Sequence, residues 1–420
     1  MAHNGIIVGL DIGTTKVCAV LGEQNENGIP EITGIGSCPC AGLRKGVVVN
    51  IEATLRSVTE AIEAAELMSG IPSDNIWTGI GGSNIDGIIS RGVVAVNGKS
   101  KDNREISQND VDRVIEGARA VDFSMDREVL EVIPQTFIVD GHPGIRDPRD
   151  MIGVRLESEV HIITCSRTSA QNLVNCINRA GFEVNGLVLQ TLAAGRAVMT
   201  EEEKELGSAL IDLGGGTTGI LVYHQGTANM VASVPLGASQ VTSDISIVKN
   251  IAFETAEKVK TEAGCCWAAL LEGVDEDIVV PGMGGRSPFP IPRSEIVQIV
   301  QPRMVEIFQL AKEKIYKQIT QRTLGGGIVL TGGGANLEGV ADLAAKVFGL
   351  PVRIGSPLSF GGLVDEYRDP SFAVAVGLVL EGNDRTGNIS GAKDRSGAGR
   401  QDGGNSIFSR IAEWIKKEVF

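Results

Sequence analysis

Two apolar runs along the chain are each interrupted by a single acidic residue. Asp11 lies in the run of residues 6–12, and Asp212 lies in the run of residues 209–213. A Gly- and Thr-rich turn and a second apolar run follow each of them, a pattern that predicts two β-hairpins. A carboxylate in a buried strand costs several kcal/mol unless a hydrogen bond or a cation meets it, whereas consecutive glycine amides suit an anion. The pattern therefore predicts that the chain binds a phosphate and a divalent metal.

The recurrence of this pattern indicates a duplicated fold. One Gly-rich turn is weak support for a ligand site, because most such turns are ordinary hairpins, but a repeat of strand, Asp, Gly, Thr-Thr and strand rarely arises by chance. We therefore favour a ligand site over two ordinary hairpins. The candidate phosphate-binding residues are Gly13, Thr14, Thr15 and Lys16 in the first turn, and Gly214, Gly215, Gly216 and Thr217 in the second.

Helical periodicity recurs along the chain outside these hairpins. Residues 51–68 place apolar side chains on one face after a capping Asn50, residues 108–119 form a second helix, and residues 294–321 form a long amphipathic helix that contains Pro302. Strands alternating with such helices predict an α/β fold. These helices are interpreted as packing elements.

A third glycine turn follows the apolar run of residues 328–331, and a helix is predicted to begin near Asn336. Backbone approaches a flat ligand closely only where side chains are absent. Three consecutive glycines exceed what a tight strand-to-helix turn needs. Gly332, Gly333 and Gly334 are therefore predicted to contact a nucleotide base.

Glu257 and Lys260 lie three residues apart on a predicted helix and share one face. They have two interpretations that the sequence does not separate. One is a solvent-exposed ion pair, and the other is a pair that binds the sugar of a nucleotide.

Composition excludes several classes of protein. The chain has 420 residues, of which 42% are hydrophobic, so it can bury large cores and is expected to form at least two domains. The net charge of −14 argues against a nucleic-acid binder. The 7 cysteines are scattered and lack zinc-site spacing. The start of the chain lacks the pattern of a signal peptide and no run reaches membrane-spanning length, so we expect a cytosolic protein.

The end of the chain changes character twice. Residues 381–405 are polar and Gly-rich, which predicts a flexible linker. Residues 406–420 then form an amphipathic helix of about 22 Å, too short to span a bilayer but suited to its interface. The alternative is a helix docked on the protein's own core, which the long polar linker disfavours. The predicted membrane-binding residues are Ile407, Phe408, Ile411, Trp414, Ile415, Lys416, Lys417 and Val419.

These motifs resemble those of the actin, Hsp70 and sugar-kinase superfamily. The turns after Asp11 and Asp212 resemble its two phosphate loops, residues 330–336 resemble its adenosine loop, and helices over residues 191–199 and 371–380 resemble its two crossing connections. The resemblance covers nearly all of the first 380 residues and implies an actin-like (ribonuclease H-like) fold of two halves, with the nucleotide in a central cleft.

Within that superfamily the chain resembles the FtsA family of bacterial cell-division actins. The cues are less generic than glycine loops and lie at residues 34–39, 132–135, 160–165, 241–245 and 280–286. The resemblance implies a first half of residues 1–85 and 160–200, with residues 86–159 inserted as a subdomain used in filament contacts. It implies a second half of residues 201–380, with a small subdomain at 249–293, then the linker and the membrane-targeting helix.

The resemblance also implies a function. The protein is expected to bind ATP, polymerise on the cytoplasmic face of the membrane, anchor the tubulin-like FtsZ at the division septum and recruit later division proteins. Asp11 and Asp212 would hold Mg²⁺ through water, the two turns the phosphates, Glu257 and Lys260 the ribose, and Arg286 and Arg303 the C-terminal peptide of FtsZ. ATP hydrolysis is expected to be weak or absent, because no motif positions a water, and no catalytic residue is assigned.

Two other functions occur on the same fold. A small-molecule kinase of the sugar-kinase type would need a catalytic base in a substrate cleft, and no substrate motif is evident. An Hsp70-like ATPase would need a substrate domain after residue 380, where only the linker and the short helix follow. Both leave the amphipathic tail unexplained, so the cell-division protein is the preferred prediction.

Overall fold

A computed structural model describes residues 6–25, 30–72, 75–97, 105–271, 276–282, 287–358, 361–362 and 368–395. Side chains are described up to residue 385. The elements that precede the inserted subdomain are, in chain order, β1 (Ile7–Ile12), β2 (Lys16–Gln24), β3 (Pro30–Pro39), β4 (Leu43–Arg44), β5 (Val47–Val48), α1 (Ile51–Ser69) and β6 (Ile76–Ile80).

The predicted first hairpin is present as β1 and β2, which pair in antiparallel register with Asp11 opposite Cys18. The helix predicted after Asn50 is α1, and the Asn50 side chain accepts a hydrogen bond from the backbone N–H of Ala53. Both predictions are confirmed, because local pattern and capping chemistry determine these elements.

The inserted subdomain is an antiparallel sheet in the order β7-β10-β8-β9, covered by one helix. Its elements are β7 (Asp86–Ala95), α2 (Gln108–Arg119), β8 (Arg127–Val139), β9 (His142–Ile145) and β10 (Arg155–Ser166). Strand β10 pairs with β7 as far as Thr164 opposite Asp86, so the predicted boundary at residue 159 falls inside a strand and is corrected to the end of β10. An apolar run predicts burial, but it does not identify the strand beside which it lies.

The remaining elements complete the two halves. They are α3 (Arg167–Arg179), β11 (Val184–Leu189), α4 (Gln190–Val198), α5 (Glu201–Leu206), β12 (Ser208–Leu213), β13 (Thr218–His224), β14 (Thr227–Val234), α6 (Ala238–Lys249), α7 (Phe253–Ala263), β15 (Asp277–Val280), β16 (Phe289–Pro292), α8 (Arg293–Tyr316), β17 (Gly327–Thr331), α9 (Val340–Phe348), β18 (Val352–Ile354), β19 (Gly361–Gly362) and α10 (Ala373–Arg395). Short 3-10 helices occur at Ala268–Leu271, Gln321–Thr323, Gly333–Asn336 and Pro370–Phe372.

The sheets of the two halves have the same strand order, which confirms the duplication. The first sheet runs β11-β6-β1-β2-β3, with β19 added at its edge, and the second runs β18-β17-β12-β13-β14. In each, an antiparallel hairpin carries the acid and a parallel strand lies on its other side. One apolar cluster fills the first half and continues onto one face of the second sheet through residues such as Leu210 and Leu221, and a second cluster fills the rest of the second half.

Two local predictions differ from the structure, one near the third glycine turn and one at the predicted start of the linker. The helix predicted near Asn336 is a 3-10 turn at Gly333–Asn336, and α9 begins only at Val340, after Gly339 adopts a left-handed φ of 73°. The linker predicted from residue 381 begins as helix, since α10 continues to Arg395. Glu381 and Arg385 form ion pairs with Arg196 and Glu131, contacts that the polar composition of this stretch does not reveal.

The crossing helices α4 and α10 pack directly on each other. A Cβ atom placed on Gly377 would lie 1.8 Å from the carbonyl oxygen of Ala193, so glycine alone permits this approach. None of the helices among the described residues is both long and apolar enough to cross a membrane.

Substituting Gly377 with Ala should lower the free energy of unfolding by about 1–3 kcal/mol, because the added methyl group forces α4 and α10 apart. Gly117 of α2 is a matched control, since nothing lies within 4 Å of a Cβ placed there. Gly117→Ala should raise stability by up to about 1 kcal/mol, the helix-propensity difference. Urea denaturation of both variants measures this, and equal effects would contradict the close crossing.

Candidate functional site

The tips of the two hairpins face each other across a cleft of about 470 Å³ between the halves. Every residue predicted to bind nucleotide lines this cleft. They are Asp11, Gly13, Thr14, Thr15, Lys16, Asp212, Gly214, Gly215, Gly216, Thr217, Glu257, Lys260, Gly332, Gly333 and Gly334. Residues separated by more than 300 positions in sequence therefore form one site, as the duplicated fold predicts.

The two hairpin tips are equivalent in register, but their Thr-Thr pairs are not. Ile12 lies opposite Val17 in the first hairpin and Leu213 lies opposite Thr218 in the second. Lys16 is thus the structural counterpart of Thr217, and Thr14 and Thr15 are the counterparts of two glycines. The repeat in sequence aligned the Thr-Thr pairs with each other, and the backbone register corrects that alignment. The first turn therefore contributes a positively charged side chain, that of Lys16, and the second turn contributes backbone N–H groups.

The close approach of the two tips explains the glycines of the second turn. A Cβ on Gly215 would lie 2.6 Å from the Thr15 side chain, and a Cβ on Gly216 would lie 2.4 Å from the Thr14 hydroxyl. Helix α6 begins against the same turn, since the backbone N–H groups of Ala238 and Ser239 donate to the carbonyls of Gly214 and Gly215 at 2.9 Å. The second turn is therefore held between the first turn on one side and the start of α6 on the other.

Asp11 and Asp212 form the acidic centre of the cleft. Burial raises the pKa of Asp11 to about 6, although Lys16 and a hydrogen bond from Gln190 act in the opposite direction. Burial, followed by the negative charge of Asp11, raises the pKa of Asp212 to about 7. A cation between them would relieve this repulsion and stabilise both ionised carboxylates.

This pair of carboxylates fits Mg²⁺. Magnesium is usually held by one or two carboxylates together with waters and phosphate oxygens. Asp11 and Asp212 would supply the protein's share of that set, and the ion would screen the phosphate charge when bound.

The raised pKa values predict how stability changes with pH. Both carboxyls bind a proton more tightly in the folded protein than in the unfolded chain, where the pKa is 3.8. The resulting stabilisation is complete below that value and is lost as the pH rises through about 6 and 7.

Without divalent cations, the free energy of unfolding should therefore fall more steeply between pH 5 and pH 8 in the wild type than in Asp212→Asn, which removes one of the two titrating groups. Urea denaturation at several pH values measures both slopes. Adding Mg²⁺ and nucleotide at pH 8 should restore part of the loss. Parallel slopes for the two proteins would contradict the raised pKa of Asp212.

Glu257 and Lys260 are paired on α7, and the pair lines the cleft. The Lys260 Nζ donates to both Glu257 carboxylate oxygens at 2.8 Å and to the Thr242 hydroxyl at 3.0 Å. Lys260 is only 6% exposed, so the solvent-exposed alternative is wrong for this side chain. Its ammonium group holds Glu257 against α6, and the half-exposed carboxylate of Glu257 remains the group available to a sugar hydroxyl.

The three glycines of the third turn have different reasons to lack a side chain. Gly332 has a φ of 81°, and a Cβ there would lie 2.3 Å from the Asp212 Oδ1 atom. A Cβ on Gly334 would lie 2.9 Å from that of Leu213. Packing thus explains these two, whereas the nearest neighbour of a Cβ on Gly333 is 3.8 Å away. Gly333 is the position at which a missing side chain leaves room for a flat ligand.

Sequence reasoning did not assign several polar residues of the cleft to the site, among them Gln190, Asn336 and Ser371. The Gln190 Nε2 atom donates to the Asp11 Oδ1 atom at 2.7 Å, across a separation of 179 residues. Gln190 immediately precedes the predicted crossing helix, which is the one signal that could have suggested it. Asn336 contacts Asp369, 33 positions away, and Ser371 contacts Lys16, 355 positions away, so the predicted segments that contain them did not reveal these contacts.

Comparison with known proteins identifies the family. Residues 82–164 match the family model described as "SHS2 domain inserted in FTSA", and residues 209–377 match that of "Cell division protein FtsA". The chain is 45% identical over 420 residues to "Cell division protein FtsA" of Borreliella burgdorferi, covering 100% of both chains. The chain belongs to the FtsA family.

Solved structures show that this member of the FtsA family has an actin-like fold. It resembles the "PilM-PilN type IV pilus biogenesis complex" with a TM-score of 0.64 and 17% identity, over 90% of this chain and 98% of that one. It resembles MreB5 of Spiroplasma citri bound to ADP with a TM-score of 0.56 and 15% identity, over 92% of this chain and 99% of that one.

The residues predicted to bind FtsZ are described only in part. Arg286 and the residues at 407–419 that are predicted to bind membrane lie outside the described residues. Arg303 lies on α8 with 27% of its side chain exposed, and its guanidinium donates to Asp244 at 2.6 and 3.1 Å and also to Glu306. A peptide carboxylate at Arg303 would have to compete with these two acids of the FtsA chain.

Proposed function

We propose that this FtsA-family protein binds ATP with Mg²⁺ in the central cleft, polymerises on the cytoplasmic face of the membrane and anchors FtsZ at the division septum. The observation that carries the proposal is the convergence of both acidic hairpin tips and the third glycine turn on a single cleft. The hairpin tips would bind the phosphates and the cation, and Gly333 and Glu257 would face the base and the sugar.

Nucleotide in this cleft would contact both halves at once. Lys16 and Asp11 come from the first half, whereas Asp212, Glu257 and Gly333 come from the second. A ligand that bridges two bodies favours the arrangement in which both sets of contacts form, so ATP would favour the closed protein. We infer that this closed arrangement is the one that assembles into filaments. MreB5 of Spiroplasma citri, which shares the fold, is known in a structure bound to ADP.

The remaining partners follow from other parts of the chain. The inserted subdomain, β7 to β10, would contribute filament contacts, and Arg286 and Arg303 would bind the C-terminal peptide of FtsZ. The amphipathic segment of residues 406–420 would hold the filament on lipid by burying its apolar face at the interface. Later division proteins would join this membrane-bound assembly.

Electron microscopy on lipid monolayers tests the proposal. With ATP and Mg²⁺ the protein should form filaments on the lipid and retain FtsZ, and Arg303→Glu should reduce FtsZ retention without preventing filament formation. Lys317→Glu, at an exposed position directly after α8, makes the same reversal of charge and is the control. Failure to form filaments under any nucleotide condition, together with phosphorylation of a sugar or another metabolite, would instead support the kinase alternative.

A further inference from the structure

The ammonium group of Lys16 already has a complete set of partners within the cleft. It donates to the Ser371 hydroxyl at 2.9 Å and to the Ser371 carbonyl at 3.2 Å, and it lies 4.2 Å from the centre of the Phe372 ring. A lysine ammonium has three N–H donors, and the face of an aromatic ring attracts a cation. The hydroxyl, the carbonyl and the ring therefore all engage the same ammonium group. A phosphate oxygen that binds Lys16 would compete with these contacts.

The segment that holds Lys16 is attached to the opposite half of the protein. The Pro370 carbonyl accepts hydrogen bonds from the Gly332 backbone N–H at 3.2 Å and the Thr331 hydroxyl at 3.3 Å. The Asn336 side chain donates to both oxygens of Asp369 at 3.0 and 2.8 Å. Ser371 is thereby tied to the third glycine turn of the second half, whereas Lys16 begins β2 of the first half. The contact between Lys16 and Ser371 joins the two halves.

We propose that Ser371 and Phe372 form a holding site for the Lys16 ammonium, and that the phosphates of a bound nucleotide compete with this site for Lys16. The inference rests on the proposed binding of nucleotide in the cleft. In this scheme Lys16 links the halves through Ser371 until a polyphosphate binds, and the polyphosphate then replaces that link with its own contacts to both hairpin tips. Ser371 acts on nucleotide binding through Lys16, as a positioning residue.

Competition predicts that weakening the holding site strengthens polyphosphate binding. Ser371→Ala removes the hydroxyl and Phe372→Leu removes the ring, and each leaves the other contacts of Lys16 in place. Each variant should bind ATP and ADP about three- to tenfold more tightly, because the nucleotide no longer has to break that charge-assisted contact to Lys16. Affinity for adenosine, which has no phosphate, should not change. Isothermal titration calorimetry with the full-length protein measures all three affinities.

A double-mutant cycle separates this role from a merely structural one. Lys16→Gln should lower ATP affinity, and in that background Ser371→Ala should have no further effect, because there is no ammonium to release. Lys312 supplies a matched control outside the cleft, since its amine donates to the Val347 carbonyl at 2.6 Å and lies 5.8 Å from the Tyr316 ring. Lys312→Gln should leave ATP affinity and the effect of Ser371→Ala unchanged.

Four results would overturn the inference. Weaker ATP binding by both Ser371→Ala and Phe372→Leu would make these residues ligands of the nucleotide. A gain in affinity that persists in Lys16→Gln, or that is equal for adenosine, would show that it does not pass through Lys16. Wild-type protein that binds no ATP would overturn the proposed function and this inference together, whereas normal ATP binding without coupling between Lys16 and Ser371 would overturn the holding site alone.

Discussion

Asp212→Ala should weaken ATP binding in the presence of Mg²⁺ by about 10- to 100-fold, because this is the usual effect of removing a side chain that holds a bound metal through water. Asp212 lines the cleft at the tip of the second hairpin, and its pKa is raised to about 7 by desolvation and by the negative charge of Asp11. Ionising this carboxylate costs free energy, and a bound cation would offset that cost. Removing the carboxylate should therefore weaken ATP binding mainly because the metal is held less tightly. Without Mg²⁺ the loss of affinity should be much smaller.

A second substitution at this position separates binding from folding. Asp212→Asn keeps the shape but not the charge, so it should weaken Mg-ATP binding while raising the free energy of unfolding at pH 8 in metal-free buffer. Asp277→Ala, on an exposed edge of β15, is the control and should change neither quantity. Calorimetric titration with and without Mg²⁺, with urea denaturation alongside, measures both effects. Undiminished affinity of Asp212→Ala for ATP with Mg²⁺ would contradict the assigned site.

Deleting residues 407–420 should abolish sedimentation of the protein with liposomes while leaving ATP binding intact. The sequence predicts a helix here, in which the apolar residues would share one face and the Lys residues would lie on the other side. Burial of one large apolar side chain contributes about 1.5–3 kcal/mol, so several of them together account for the whole affinity of such a helix for an interface.

A point substitution tests the same segment without shortening the chain. Trp414→Glu should lower liposome affinity by about 10- to 100-fold, because it replaces the largest apolar side chain of the face with a charge. Glu413→Gln, on the polar face, is the matched control and should retain binding or strengthen it slightly on anionic lipid. Unchanged sedimentation of the truncated protein would show that the membrane-binding residues lie elsewhere in the chain.

The sequence by itself determined the elements whose cause is local. The hairpins at Asp11 and Asp212 and the Asn50-capped helix follow from apolar periodicity, turn glycines and capping chemistry, all of which act within a few residues. The duplication was visible for the same reason, because each half repeats a short motif. All the predicted nucleotide-binding residues consequently line one cleft.

Tertiary structure decided what depends on distant neighbours. The assignment of residues 160–166 to the inserted sheet depends on pairing with β7 and β8, and the extension of α10 beyond residue 380 is accompanied by ion pairs to Glu131 and Arg196. Apolar periodicity states that a strand is buried but not what buries it. Contacts such as Gln190 with Asp11 and Lys16 with Ser371 join residues 179 and 355 positions apart, so only the folded chain brings them together.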